Sequence, residues 1–273
     1  MSLAGALVLN RYRIVRPFAR GSSSVVYLAF DEDGKPYAVK LFHPDLVARA
    51  DREYLVASRL NHPNLNRAVA RVVVNSQPGV LLEFAPGVRL SDWRSAAPTN
   101  VALIAALRGL VAGLCWLHAQ KLVHRDVKPE NIIVHDHAVG ERRRSTARLV
   151  DFDLAGPSGE VFRDNVAPGT VAFISPEGAL GKPLTAAADM YAVGVIMFWA
   201  LTGGLPFEGE PREVLRAHAY ARPDLDRMDL HNPLGETVGA LLSKDPEDRP
   251  GGLKVLDLLN DLSAETPNAA PAP

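Results

Sequence analysis

The sequence predicts an α+β chain with a small strand-rich part followed by a larger helical part. Two observations carry this reading. Between Tyr12 and Phe84, short runs dense in Val, Ile, Tyr and Phe alternate with turn residues, and helical spacing interrupts them once. After Ala85-Pro86-Gly87, apolar residues recur at three- and four-residue spacing over long stretches. The boundary therefore falls at that punctuation. The strand-rich part covers about residues 10–84 and the helical part about 88–262. Residues 263–273 are rich in Ala and Pro and read as a disordered tail.

In the first part, Tyr12 to Phe18 and Ser24 to Phe30 are predicted strands around a small, flexible tip, Ala19-Arg20-Gly21-Ser22-Ser23-Ser24. Asp31 to Lys35 is a turn, and Pro36 to Leu41 a third strand that carries Lys40 near its end. Residues 45–60 have helical spacing, stopped by Asn61-His62-Pro63. Ala68 to Val74 and Val80 to Phe84 are further strands, joined by a turn over Asn75 to Gly79. In the second part, Thr99 is placed to cap a long helix with the stripe Ile104, Leu107, Val111, Leu114, Leu117. Short strands are expected near 132–134 and 148–150, with an extended hairpin loop between them that carries His135, His137 and Arg142-Arg143-Arg144. The three arginines read as a solvated loop tip, and a metal site on the two histidines is the weaker alternative. A helix over about Ala188 to Leu201 is apolar nearly all round and belongs in a core; Gly203-Gly204 ends it. Helices near 211–219, 235–243 and 251–261 follow.

Composition bounds the function classes. A formal net charge of −1 gives no basic field for nucleic acid. The single cysteine, Cys115, excludes a disulfide framework and fits a reducing, cytoplasmic setting; within its apolar pattern it reads as core. The longest apolar run, Tyr191 to Leu201, contains Gly194 and is too short to span a bilayer, and the first residues lack a leader pattern, so no membrane segment is expected.

The chemistry concentrates in His124-Arg125-Asp126-Val127-Lys128-Pro129-Glu130-Asn131, which sets an acid, cations and an amide side by side. Beyond it, Leu149-Val150-Asp151-Phe152-Asp153 ends a second apolar run with a carboxylate. Amide and carboxylate oxygens beside a lysine suit metal-bound phosphate. Further signals stand in order: Tyr-Ala-Val-Lys at 37–40, Gly-Thr at 169–170, Ser-Pro-Glu at 175–177, Asp-Met-Tyr-Ala-Val-Gly at 189–194 and Asp-Pro-Glu-Asp-Arg-Pro at 245–250.

Together these resemble a Hanks-type (eukaryotic-like) serine/threonine protein kinase, most like the bacterial ones, over about residues 10–262. The resemblance implies a bilobal protein-kinase fold, with a small β-rich N-lobe and a larger helical C-lobe. It also implies ATP with Mg²⁺ (or Mn²⁺) as cofactors, and protein substrates. By the same resemblance Lys40 reaches the α- and β-phosphates and pairs with Glu53, although the segment between them is short. Asp126 is the catalytic base, Lys128 neutralises the transferring phosphate, and Thr170 holds both in place. Asn131 and Asp151 take the metal. Ala19, Gly21, Ser22 and Ser24 form the phosphate loop, Val26, Ala38 and Ile133 sandwich adenine, and Glu83 to Ala85 face its edge, with Leu82 at the gatekeeper position. Asp189 would brace the catalytic loop, and Glu177 with Arg249 would form a buried ion pair.

The chain departs from the pattern in three places. The phosphate loop reads Ala19-x-Gly21-x-x-Ser24 where three glycines are usual, which implies a stiffer loop and weaker nucleotide binding. Asp153 replaces the glycine of Asp-Phe-Gly, at a backbone cost of ~1–2 kcal/mol if glycine-like angles are kept there. It adds a carboxylate near the metal and implies restricted flipping of the segment. The stretch from Asp153 to Pro176 offers only Ser158, Thr170 and Ser175 as hydroxyls, so Glu160 or Asp164 is the expected partner for Arg125 in place of a phosphate. The alternative is that both acids are merely solvated. A pseudokinase scaffold with weak or no catalysis is the main rival. A small-molecule kinase and a pure interaction module account for fewer of the motifs.

Overall fold

The computed structural model describes residues 3–21, 23–96, 98–139, 142–161 and 168–265. The chain divides into two compact units, Met1–Ala85 with Val150–Ala155, and Pro86–Leu149 with Gly156–Pro273.

The first unit is a six-stranded antiparallel sheet in the order β1-β2-β3-β4-β6-β5. Its strands are β1 (Leu7–Val8), β2 (Tyr12–Arg20), β3 (Ser24–Phe30), β4 (Pro36–Phe42), β5 (Ala68–Val74) and β6 (Gln77–Glu83), with helix α1 (Val47–Ala57) between β4 and β5. Strand alternation sorts β4 cleanly. Tyr37, Val39 and Leu41 enter a core with Tyr12, Ile14, Ala29, Val72 and Leu81. Ala38 and Lys40 take the opposite face. The helix is shorter than the periodic stretch 45–60, and its first residue follows Leu46, whose side chain makes no cap bond. The β5–β6 turn is tighter than the expected span 75–79. Asn75 and Ser76 both adopt positive φ (48° and 63°), the geometry of a two-residue hairpin, so Gln77 to Gly79 already belong to β6. Gly79 lies against β4 so closely that a Cβ there would come within 2.5 Å of the Lys40 carbonyl oxygen.

The second unit opens with β7 (Val88–Arg89) and α2 (Leu90–Ser95), followed by α3 (Asn100–Ala119), β8 (Leu122–Val123), β9 (Ile132–Val139) and β10 (Arg142–Leu149). Thr99 caps α3 by accepting from the Ala102 N–H at 3.3 Å. Helix α3 is the one helix among the described residues long and apolar enough to cross a membrane. In this unit it is a core helix: Leu110, Val111, Leu114 and Leu117 are wholly buried, and it packs against the last helix and β10.

The β9–β10 pair is an extended hairpin, as expected, but its strands run much further than the short ones expected near 132–134 and 148–150. The ladder continues for eight residues on each side, pairing His137 with Arg144 and Val139 with Arg142. The arginine run is therefore strand, not loop tip. Along the ladder, Asp136 accepts from Trp93 Nε1 (2.9 Å) and Ser145 Oγ (2.6 Å). The His135 and His137 rings stack at 5.4 Å, and among the described residues no group of three or more His, Cys, Asp or Glu is gathered for a metal.

Short strands β11 (Gly156–Pro157) and β12 (Glu160–Val161) lead to a 3-10 segment, Pro168–Phe173. Then come α4 (Pro176–Ala179), β13 (Pro183–Leu184), α5 (Ala186–Thr202), α6 (Pro211–Tyr220), α7 (Pro233–Leu241) and α8 (Gly252–Glu265). Helix α5 is buried nearly all round, as its uniform apolarity predicts, and stops at Gly203 in the left-handed region (φ 79°). Helix α8 runs past residue 262, where a disordered tail was expected to begin, and Ser263 Oγ donates to Leu259 O at 2.7 Å. The rest of the Ala/Pro-rich tail, 266–273, lies outside the described residues.

Candidate active site

In the first unit, Lys40 gathers three carboxylates. Its Nζ lies 2.9 Å from Glu53 Oε2, 2.6 Å from Asp151 Oδ1 and 3.9 Å from Asp153 Oδ2. Lys40 and Glu53 are buried at 4% and 0% exposure, so these charges depend on each other and not on water. Burial works against the lysine's charge, but Asp151, Asp153 and Glu53 outweigh it and hold the ammonium protonated far above its usual range. Burial also raises the Glu53 carboxyl, with Lys40 opposing. It pushes Asp153 up to about 8, again against Lys40, with Asp151 and Glu53 adding to the rise.

The pairing of Lys40 with Glu53 needs only a short helix, because Glu53 sits in the middle of α1 and faces β4. Arg49 and Arg52 of the same helix reach Asp153, one at its carboxylate (3.8 Å) and one at its carbonyl oxygen (3.2 Å). Phe152 is wholly buried. Glycine-like angles do not fall on Asp153. Among the described residues the positive φ is at Asp151 (70°), where the chain turns its carboxylate to Lys40 while Phe152 enters the core.

The other nucleotide-facing candidates of this unit lie on the same sheet. Val26 is the ladder partner of Lys40, and Ala38 precedes Lys40 by two, so period-two alternation sets all three on one face. Ala38 pairs with Leu82, and Glu83 with Tyr37. The Glu83 N–H donates to Arg67 O (3.0 Å), and its carbonyl accepts from Asn66 Nδ2 (3.3 Å). Ala85, after β6, is half-buried. Ala19 is half-buried near the end of β2 opposite Val26, and the hairpin closes with Gly21 N–H donating to Ser24 O at 2.9 Å. Ser22 lies outside the described residues.

In the second unit, the loop after β8 is held by one buried carboxylate. Asp189 Oδ2 accepts from the His124 N–H (2.8 Å) and meets His118 Nε2 (2.8 Å), while Oδ1 accepts from the Arg125 N–H (2.9 Å). Burial opposes ionisation of Asp189, but His118 and the His124 backbone outweigh it and set its pKa below the usual carboxylate range. Arg125 itself takes φ 68°. The brace thus holds a backbone that non-glycine residues rarely adopt.

Asp126 projects from this loop. Lys128 Nζ sits 2.8 Å from its Oδ2, and Asn131 Nδ2 donates both to Oδ2 (3.0 Å) and to the Asp126 carbonyl (2.9 Å). The other carboxylate oxygen, Oδ1, is buried and, among the described residues, accepts no hydrogen bond. With its nitrogen committed, Asn131 has its amide oxygen left as a hard ligand. Ile133 is half-buried on β9 opposite Arg148 and Arg89. Thr170 falls in the 3-10 segment, and its side chain lies outside the described residues, as does Asp164.

Arg125 donates to Pro157 O at 2.6 Å and to Glu160 Oε2 at 3.3 Å, so the acid expected opposite it is present. Arg249 grips Glu177 with two bonds (2.7 and 2.8 Å) and also donates to Ser243, Lys244 and Ala187 carbonyls, a satisfied buried pair. Cys115 is half-buried, and burial raises its thiol pKa, which leaves it an inert packing residue. His118, Arg49, Arg52 and His218 were not legible beforehand. Each is defined by a partner far along the chain, with no local motif around it.

A family model described as the protein kinase domain matches residues 12–260. The chain belongs to the protein kinase family. Its strand-rich first unit and helical second unit are those of the α+β kinase fold. Among curated relatives it is 35% identical to serine/threonine-protein kinase pkn2 of Myxococcus xanthus, over 90% of this chain and 31% of the relative. It is 30% identical to serine/threonine-protein kinase PkaA of Streptomyces coelicolor, over 88% and 48%. It is 31% identical to serine/threonine-protein kinase PknF of Mycobacterium tuberculosis, over 91% and 55%. The kinase chain thus spans from under a third to just over half of the length of these relatives.

Proposed function

We propose that this kinase domain transfers the γ-phosphate of ATP to serine or threonine hydroxyls of proteins, its own included. The observation that carries the proposal is Asp126 Oδ1, a buried acceptor with no donor among the described residues, beside an oxygen already held by Lys128 and Asn131. A buried acceptor of this kind normally has a donor, and an incoming hydroxyl supplies one. Asp126 then orients the hydroxyl and takes its proton, while Lys128 offsets charge on the moving phosphoryl group. Lys40, oriented by Glu53, contacts the α- and β-phosphates. Thr170 keeps Asp126 and Lys128 in place. Val26, Ala38 and Ile133 pack on adenine. Ala19, Gly21, Ser22 and Ser24 cover the phosphates, and Glu83 and Ala85 bond the base edge.

Asn131 and Asp151 each offer an oxygen of the kind that Mg²⁺, or Mn²⁺, takes, and such an ion needs few protein ligands when phosphates complete its shell. The ion would neutralise charge on the β- and γ-phosphates. We place the activity in the cytoplasm, in keeping with the single reduced cysteine. Catalysis in the full-length protein, its substrates and its partners belong to the same proposal.

The scaffold reading draws on the 2.6 Å contact of Lys40 with Asp151, which engages a metal ligand directly. Incubation with γ-labelled ATP, Mg²⁺ and dephosphorylated casein separates the two. Label on serine or threonine that falls at least ~100-fold in Asp126→Asn, with ATP binding retained, supports the enzyme. ATP binding without any label supports the scaffold.

A further inference from the structure

Helix α5 carries Asp189, the brace of the catalytic loop, and two positions later Tyr191, whose hydroxyl points at α6. Tyr191 OH lies 2.9 Å from His218 Nδ1, and His218 Nε2 lies 3.1 Å from the carbonyl oxygen of Ala172 in the 3-10 segment. His218 is wholly buried. Tyr191 and Phe207 clamp its ring edge-to-face, at 5.6 and 5.0 Å between centroids. Lys244 Nζ bonds the His218 carbonyl at 2.8 Å and lies 4.7 Å from the Phe207 ring centroid. Burial, with Lys244 adding to it, brings the imidazole pKa down to about 4, so the ring is neutral. A neutral imidazole donates from one nitrogen and accepts at the other. Ala172 O can only accept, so Nε2 carries the hydrogen and Nδ1 receives the tyrosine O–H.

We propose that His218 is a positioning residue that ties the segment Pro168–Phe173 to helix α5 and thereby sets the backbone on which a protein substrate is received. The proposal rests on the kinase reading above. The tethered stretch also forms one wall of a cavity of about 280 Å³, Val171 and Ala172 facing Phe207, Pro211 and Val214. Displacing the segment would reshape that cavity. Ala172 has no side-chain polar group of its own, so its carbonyl is what a hydrogen bond can hold, beside the packing of Val171 on Phe207 and Val214.

The test compares His218→Gln with His218→Leu in the full chain. The glutamine amide nitrogen can take over the bond to Ala172, whereas leucine removes both bonds at similar volume. The leucine variant should exchange amide hydrogens over 168–175 about tenfold faster and raise KM for casein about tenfold, with KM for ATP within about twofold. The glutamine variant should lie near the wild type in both. Wild-type exchange in the leucine variant, equal impairment of both variants, or a parallel rise of both KM values overturns the proposal. Should the leucine variant fail to fold, His218→Asn, which reaches only the Tyr191 side, takes its place with the same expectations. If the wild type transfers no phosphate, the kinase reading fails, and the exchange measurement alone decides the His218 tether.

Discussion

The Lys40 cluster and the Asp189 brace solve the same problem by different means. Each holds a non-glycine residue at positive φ, Asp151 at 70° and Arg125 at 68°, and each is buried. Around Lys40 the partners are acidic side chains, three carboxyl groups on one ammonium. Around Asp189 they are mainly backbone N–H groups of fixed direction, converging on one carboxylate. Attraction between charges tolerates changes of angle and redistributes when a new ion or phosphate arrives. Hydrogen bonds to a backbone are directional and hold one geometry. The first arrangement suits a site that must exchange its ligands, and the second a loop that must present Asp126 in one pose.

Three substitutions bear on this contrast. The largest effect is expected for Lys40→Met, which leaves Glu53 and Asp153 buried, with Arg49 and Arg52 near the latter. Stability measured by denaturant should fall by roughly 3–5 kcal/mol, with ATP binding lost. A loss under about 1 kcal/mol would contradict the charge-held description, since an uncompensated buried carboxylate costs more than that.

Asp189→Asn comes next, because an amide oxygen replaces one acceptor and an N–H₂ faces donors. A loss of about 1–3 kcal/mol is expected, together with weaker phosphotransfer, since the loop backbone loosens. The sign of its pH dependence follows from the lowered pKa. The Asp189 contribution is complete above the unfolded value of about 3.9 and is lost as pH falls through the lower folded value. The wild type should therefore show an acid limb below about pH 4 that is shallower in Asp189→Asn. Identical acid limbs would remove Asp189 from the account.

Glu160→Gln should do least. The Glu160 side chain is 58% exposed, and its bond to Arg125 is 3.3 Å. Stability should change by less than about 1 kcal/mol and activity by about threefold, since exposed pairs contribute little. Ser158→Ala should leave activity unchanged. If the serine variant abolished activity and the glutamine variant did not, Glu160 would not be standing in for a phosphate opposite Arg125.

Much of the secondary structure was legible because it rests on local pattern. Alternation marked β3 and β4, Thr99 marked the start of α3, and Gly203 marked the end of α5. The β9–β10 ladder was misread because His-Asp-His and the arginines look solvated. They are strand because each pairs with a residue across the hairpin, and Asp136 also meets Trp93 from α2, a contact invisible to a local window. The place of backbone strain was misread for a related reason. The missing glycine at 153 drew attention to that residue, whereas the turn occurs at Asp151, pulled by Lys40. At the site, residue types in order were enough to nominate Lys40, Glu53, Asp126, Lys128, Asn131 and Asp151. Their hydrogen-bond partners were not.

By itself the sequence determined the element periodicities, the order of the motifs and the types of group available for phosphate chemistry. These follow from backbone sterics and side-chain spacing, which act over a few residues. The tertiary structure decided who meets whom: Lys40 with Asp151 across 111 positions, Asp189 with His124 across 65 and Glu177 with Arg249 across 72. Such pairings are set by which apolar faces pack together, since the entropy of closing a long loop grows only slowly with its length. No local pattern records them.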